Sequence, residues 1–261
     1  MEGESIKLTN LTKSYRKHEA AKSLNLEVNK GELFGFLGPN GAGKTTTIKM
    51  LTGLLEPTSG SAEINGIDIW QHPLKAKEKI AYVPDQPNLY PKLTGWDYLE
   101  FVGSVFRLPK DQFQAKANEL LQIFSLTEQA NDLIESYSHG MKQKIAICGA
   151  LVHEPDVLFM DEPTVGLDPK SARNLKNLLR EFCDNGMTVF LSTHILEIAE
   201  QMCDRVGIIF EGDIIALGTM DELKAGEDAE QSLEDIFLEL TGGEDQQAII
   251  NEMSDDDGDA K

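Results

Sequence analysis

An α/β fold is predicted for this chain, with a strand-and-helix core, an antiparallel β subdomain and an α-helical subdomain. Three observations predict it. Residues 33–54 read as strand, glycine-rich loop and helix. Residues 157–162 read as a buried strand closed by two acids. A helical stretch of about residues 88–140 separates the two.

The elements follow in order. Residues of about 5–35 and 61–69 are strand-rich. Asn65-Gly66, between Ala62-Glu63-Ile64 and Ile67-Asp68-Ile69, is a strong hairpin signal. Leu33-Phe34-Gly35-Phe36-Leu37 is an apolar run short enough for a buried strand. Thr46 to Leu54 reads as a helix. Between them, Gly38-Pro39-Asn40-Gly41-Ala42-Gly43-Lys44-Thr45 fits G-x-x-x-x-G-K-[ST], the P-loop pattern, in the strand–loop–helix context it needs. Glycines let backbone N–H groups converge on phosphate oxygens, and the helix N-terminus adds partial positive charge. Lys44 is expected at the β- and γ-phosphates, and the Thr45 hydroxyl at Mg²⁺. A P-loop nucleotide-hydrolase core is the result.

Thr94 to Phe106 and Asp111 to Phe124 are the main helices of the insertion, punctuated by Pro91 and Pro109. Val157-Leu158-Phe159-Met160-Asp161-Glu162 is four apolar residues followed by two carboxylates. Open α/β sheets put ligands at the carboxyl ends of their strands. Asp161 is expected in the Mg²⁺ shell, and Glu162 as the general base for the attacking water. Met187 to Leu191 is the next strand, and Arg205 to Leu217 a final hairpin turning at Glu211-Gly212-Asp213. Ser232 and Asp235 form a capping box ahead of Leu233, Ile236, Phe237 and Leu240, a short amphipathic helix expected to pack on the domain. A dimer contact is its alternative role.

Three further motifs narrow the field. Ser138-His139-Gly140-Met141-Lys142-Gln143 opens a helix before the Asp161 strand, Val165-Gly166-Leu167-Asp168 follows that strand, and Ser192-Thr193-His194 ends the next. In order and spacing, about residues 5–220 resemble the nucleotide-binding subunit of an ATP-binding cassette (ABC) transporter. The resemblance implies the ABC ATPase fold, with ATP as substrate and Mg²⁺ as cofactor. It implies that Tyr15 stacks on adenine and that Gly38 to Thr45, with Thr46, bind the phosphates. Asp168 becomes the acid that crosses a dimer interface, and His194 the switch histidine at the γ-phosphate. Ser138 and Gly140 carry the signature chemistry, although the usual Leu-Ser-Gly-Gly-Gln is here Tyr137-Ser138-His139-Gly140-Met141. In Tyr82-Val83-Pro84-Asp85-Gln86-Pro87, alignment on the tyrosine and second proline puts Asp85 in the family's glutamine position. A loop shifted by one residue would put Gln86 there. Ser-His-Gly-Met-Lys-Gln-Lys, Ser192 to Leu196 and Ser232 to Phe237 resemble the ABC-2-type exporter branch, including its Ecs-like members.

Composition is compatible with this. No apolar run approaches the about 20 residues of a spanning helix, and Met1-Glu2-Gly3-Glu4 has no signal-peptide core. Cys148, Cys183 and Cys203 match no metal or redox spacing and read as reduced thiols, two of them buried on helices. Of the net charge of −20, residues from Asp221 onward carry −13, as 15 acids against Lys224 and Lys261. Such a region repels nucleic acid, and residues 244–261 are expected to be disordered. The division expected is 1–225 for the ATPase domain, 226–243 for the short helix and 244–261 for the acidic tail.

The function implied by the resemblance is an ATPase at the cytoplasmic face of the cell membrane. It energises a polytopic permease as a head-to-tail dimer, a homodimer by default, that sandwiches two ATP. Leu89, Tyr90, Leu93, Trp96 and Tyr98 would form the groove that meets the permease. The alternative is a soluble ABC ATPase acting as a clamp or assembly factor, of the iron–sulfur-assembly kind.

Overall fold

The computed structural model describes residues 3–16, 18–164, 169–224 and 233–241. The chain opens with β1 (Glu4–Tyr15), β2 (His18–Asn29), β3 (Leu33–Leu37), α1 (Lys44–Leu51), β4 (Ser59–Ile64), β5 (Ile67–Asp68), α2 (Pro73–Lys77) and β6 (Ile80–Val83). Three helices follow: α3 (Gly95–Val105), α4 (Lys110–Ile123) and α5 (His139–Leu151). Next come β7 (Val157–Asp161), α6 (Pro169–Asp184), β8 (Thr188–Thr193), α7 (Leu196–Met202), β9 (Arg205–Phe210), β10 (Asp213–Gly218), α8 (Met220–Leu223) and α9 (Leu233–Thr241).

Two sheets form. The antiparallel one has the order β2-β1-β4-β5, and the other β10-β9-β3-β8-β7-β6, parallel except for β10. In β2, Leu24, Leu26 and Val28 are buried while Asn25, Glu27 and Asn29 are exposed, the alternation of a sheet with one wet face. β3, β7 and β8 are buried at every residue, as strands covered on both faces must be. Their side chains alternate between two cores. Leu33, Leu158, Met160, Val189 and Leu191 face α5 and the helical subdomain. Phe34, Phe36, Val157, Phe159 and Phe190 face the antiparallel sheet and α1. The Phe190 ring packs on Phe34, Phe36 and Phe159, with centroids 5.4, 5.4 and 5.7 Å away.

Most expected elements appear, some with changed bounds. The helix after the glycine loop begins at Lys44, not Thr46, and stops at Leu51, not Leu54. Gly53, at φ +65°, takes the left-handed conformation that closes a helix. The acid-tipped strand ends at Asp161, and Glu162 leaves it at φ +49°. Both hairpins turn through two residues of positive φ, Asn65-Gly66 and Glu211-Gly212, the twist that paired strands favour. Thr94 caps α3 reciprocally with Asp97.

Helix α9 packs through Leu233, Ile236 and Phe237 against Leu37, Leu196 and Ala199. Its expected cap Ser232 lies outside the described residues, and Glu200 Oε1 accepts the Leu233 N–H at 3.1 Å. Residues 244–261 also lie outside them. Cys148 and Cys183 are buried thiols on α5 and α6, and Cys203 is partly buried.

Candidate nucleotide site

The loops after β3, β7 and β8 leave the same edge of the sheet, because the three strands are parallel neighbours. The loop after β3 is held from behind. Gly38 N–H donates to Thr193 O at 3.3 Å, and Gly212 N–H donates to Ala42 O at 3.0 Å. A Cβ on Gly38 would lie 2.2 Å from Ile209 O, and one on Gly43 2.2 Å from Ala20 O. No side chain fits at either contact.

Helix α1 starts without a side-chain cap. The first N–H groups of a helix have no intrahelical partner, and here Lys44, Thr45 and Thr46 line a cavity of about 740 Å³. Tyr15, Pro39, Asn40, Gly41, Gly43, Asp85, Gln86, Asp161 and Glu162 line it too. Its size is in the range of small-molecule sites, and uncapped N–H groups beside a lysine suit a polyphosphate. Half-exposed Tyr15 offers a ring face, with Lys13 5.4 Å from the centroid.

Lys44 is nearly buried. Its Nζ donates to Gly38 O at 2.7 Å and to Pro39 O at 3.3 Å, and pairs with Glu162 Oε1 at 3.3 Å. Asp161 is 3 % exposed. Its Oδ2 accepts the Thr45 hydroxyl at 2.8 Å, and its Oδ1 accepts the Ser192 hydroxyl. Glu162 Oε2 meets His194 Nδ1 at 2.9 Å and His194 N–H at 3.3 Å. Burial pushes the Glu162 carboxyl up, but the hydrogen bond from His194 and the Lys44 charge outweigh it and hold it below the usual range. A base must be ionised to accept a proton, so this environment suits the role expected of Glu162. In His194→Ala, burial is less opposed and the Glu162 pKa rises. The acid limb of the turnover–pH profile is expected to move to higher pH. An unmoved limb would separate His194 from Glu162.

Asp85 and Gln86 are both exposed and both line the cavity. Partial burial and the charges of Asp161 and Glu162 raise the Asp85 pKa, so Asp85 shares a field with the two acids. Asp85→Ala is expected to weaken Mg²⁺ dependence more than Gln86→Ala, read as the Mg²⁺ concentration for half-maximal turnover. The reverse order would assign the position to Gln86. Among the described residues no three His, Cys, Asp or Glu side chains form a metal cage. Mg²⁺ requires none, since it binds through one or two protein oxygens plus substrate phosphates. Thr45 and Asp161 both bring oxygen atoms to the cavity lining.

Ser138 and Gly140 are not among the residues lining this cavity. Ser138 caps α5, accepting the Met141 N–H at 3.3 Å. Asp168 lies outside the described residues. Ser192, which touches both acids, was not among the expected site residues, nor was the cavity-lining His18.

Known proteins resemble this arrangement. A family model described as "ABC transporter" matches residues 21–165. The linearmycin resistance ATP-binding protein LnrL of Bacillus subtilis is 43% identical over 218 residues, 84% of this chain and 70% of that one. A solved ATP-binding subunit of an ABC transporter superposes with a TM-score of 0.85 at 33% identity, covering 90% of this chain and 99% of that one. An ATP-binding cassette solved as a dimer in a post-hydrolysis state, with ADP and phosphate bound, gives 0.73 at 29% identity, covering 82% and 98%. With a glycine-rich loop, a lysine paired to a glutamate and a buried aspartate at one sheet edge, this chain belongs to the ABC transporter family as an ATP-binding, ATP-hydrolysing subunit.

Proposed function

We propose that the chain is one half of a head-to-tail ATPase dimer that energises export through a membrane permease. The observation that carries this is the split of the site. The phosphate loop and both acids line one cavity, while Ser138 and Gly140 stand outside it. A second copy would supply Ser138 in trans. ATP then favours the closed dimer because only that state adds the trans contact, the differential affinity a population shift needs. Glu162 accepts the water's proton, and His194 and Lys44 keep Glu162 ionised and aimed. Thr45 and Asp161 would hold Mg²⁺, whose charge would offset that of the phosphates, and Asp85 lines the same cavity. The solved post-hydrolysis dimer and the name of the linearmycin resistance relative support the dimer and the export direction. The alternative, a clamp or assembly factor, has no comparable support.

Among the described residues no helix is long and apolar enough to cross a membrane. A second cavity of about 380 Å³, lined by Pro84, Pro87, Leu89, Tyr98, Val102 and Phe106 among others, adjoins the loop of Asp85 and Gln86. It is the proposed permease groove. Of the aromatics expected there, Tyr98 and the neighbouring Leu89 line it. Trp96 instead packs edge-on against Phe113, 5.6 Å between centroids, inside the helical subdomain. Tyr90 is 53% exposed and packs edge-on against Phe101.

Size-exclusion chromatography of Glu162→Gln with and without ATP tests the dimer. ATP-dependent doubling of mass is expected, and a monomer at saturating ATP would count against it. Tyr90→Asp tests the exposed ring next to groove-lining Leu89 as part of the docking surface. Permease copurification is expected to fall, with melting temperature and basal ATPase unchanged. A destabilised, inactive subunit would make the Tyr90–Phe101 contact a structural one and count against docking there.

A further inference from the structure

We propose that Ser192 is a positioning residue for both acids of the site, a single hydroxyl that couples the orientation of Asp161 to that of Glu162. The inference rests on the ATPase chemistry above and adds a residue to it. Ser192 is fully buried on β8 and stands in register with Asp161 on β7. Its O–H donates to Asp161 Oδ1. A serine hydroxyl has one proton and two lone pairs, so with the proton committed the oxygen can only accept from other groups. It accepts the Glu162 N–H at 3.3 Å, and the Ser192 carbonyl accepts the same N–H at 3.1 Å.

The bonds form a closed ring through the Asp161–Glu162 peptide. Glu162 N–H leads to the Ser192 hydroxyl, the hydroxyl to Asp161, and Asp161 back to Glu162 through the chain. Each bond polarises the next at low local dielectric. Asp161 is pinned at both oxygens from different elements, by Ser192 on β8 and by Thr45 on α1. Its remaining lone pairs are left for a metal or the water around one. Glu162 sits at φ +49°, a region that a non-glycine residue keeps only when its surroundings hold it there. The two hydrogen bonds from its N–H to Ser192 provide that hold, while His194, two residues after Ser192, takes its carboxylate. One strand end therefore sets both the backbone and the side chain of Glu162.

Ser192→Ala removes the donor to Asp161 and one acceptor of the Glu162 N–H while adding no volume. The full-length variant is compared with wild type and Ser192→Thr. Three readouts are needed: Mg²⁺-dependent affinity for a fluorescent ATP analogue, steady-state turnover against Mg²⁺, and melting temperature. Losing a hydrogen-bond partner behind a metal-site residue typically costs about 10–100-fold in metal affinity or activity. We expect Ser192→Ala to raise half-saturating Mg²⁺ by about that factor, in both binding and turnover. Turnover should stay low at saturating Mg²⁺, because Glu162 is loosened as well. Analogue affinity without Mg²⁺ should stay within about twofold, well short of the metal effect, and Ser192→Thr should restore the metal response. A Ser192→Ala protein with wild-type metal response and turnover would overturn the proposal. So would losses that follow a lowered melting temperature and leave the Mg²⁺ dependence unmoved. Failure of the ATPase reading would appear instead in the wild-type protein, as absent turnover.

Discussion

Glu162→Gln is expected to bind ATP at near wild-type affinity and to hydrolyse it about 10²–10⁴-fold more slowly, the usual worth of general-base catalysis. That is roughly 3–5 kcal/mol of lost transition-state stabilisation. The amide keeps the size of the acid and can still accept from His194 N–H, now 3.3 Å from Oε2. What it loses is the negative charge that Lys44 and His194 hold ionised, and with it the proton acceptor. Steady-state phosphate release measures the fall, and equilibrium binding of a non-hydrolysable analogue measures what survives. Turnover near wild type would take Glu162 out of the base role.

Lys44→Ala is expected to fail earlier, at binding. Lys44 Nζ is joined to Gly38 O, Pro39 O and Glu162, so the charge stands against the phosphate loop. A hydrogen bond to a charged group is worth about 1.5–3 kcal/mol, so affinity should drop by roughly 10–100-fold or more. The loss leaves Glu162 with burial and only His194 to oppose it, so its pKa rises and turnover suffers twice. Isothermal titration with the analogue, beside a turnover assay, reads both. Normal values in each would refute the P-loop assignment.

Much of this site can be read directly from the order of its residues, for a reason of chemistry. A loop that wraps phosphate needs its glycines and lysine at one spacing, so Gly38 to Thr45 stands out in the chain. Strands covered on both faces read as near-continuous apolar runs, which marks β3 and β7. Thr94 and Ser138 are readable as caps because their hydroxyls act on the next turn of their own chain. Ser192 is not, because a serine within an apolar strand has no local signature. Its meaning comes from register with Asp161 on another strand. His18 escapes notice for a similar reason, since it reaches the cavity only because β2 begins beside Tyr15. Trp96 fits an aromatic groove by position, and only packing on Phe113 reveals it as an internal contact. Both Asp85 and Gln86 reach the cavity, so neither residue type nor spacing could separate them.

The back wall of the phosphate loop is made late in synthesis. Gly38 rests on Ile209, and the loop is tied to Thr193 and to the turn at Gly212. A chain still emerging from the ribosome can have its entire glycine motif outside while β8, β9 and that turn have yet to appear. Domains fold as units and long-range pairings close slowly. Competence to hold nucleotide should therefore arrive abruptly, once residues around 212 have emerged and docked. A nascent chain cut short of the last hairpin would carry the motif and lack the pocket.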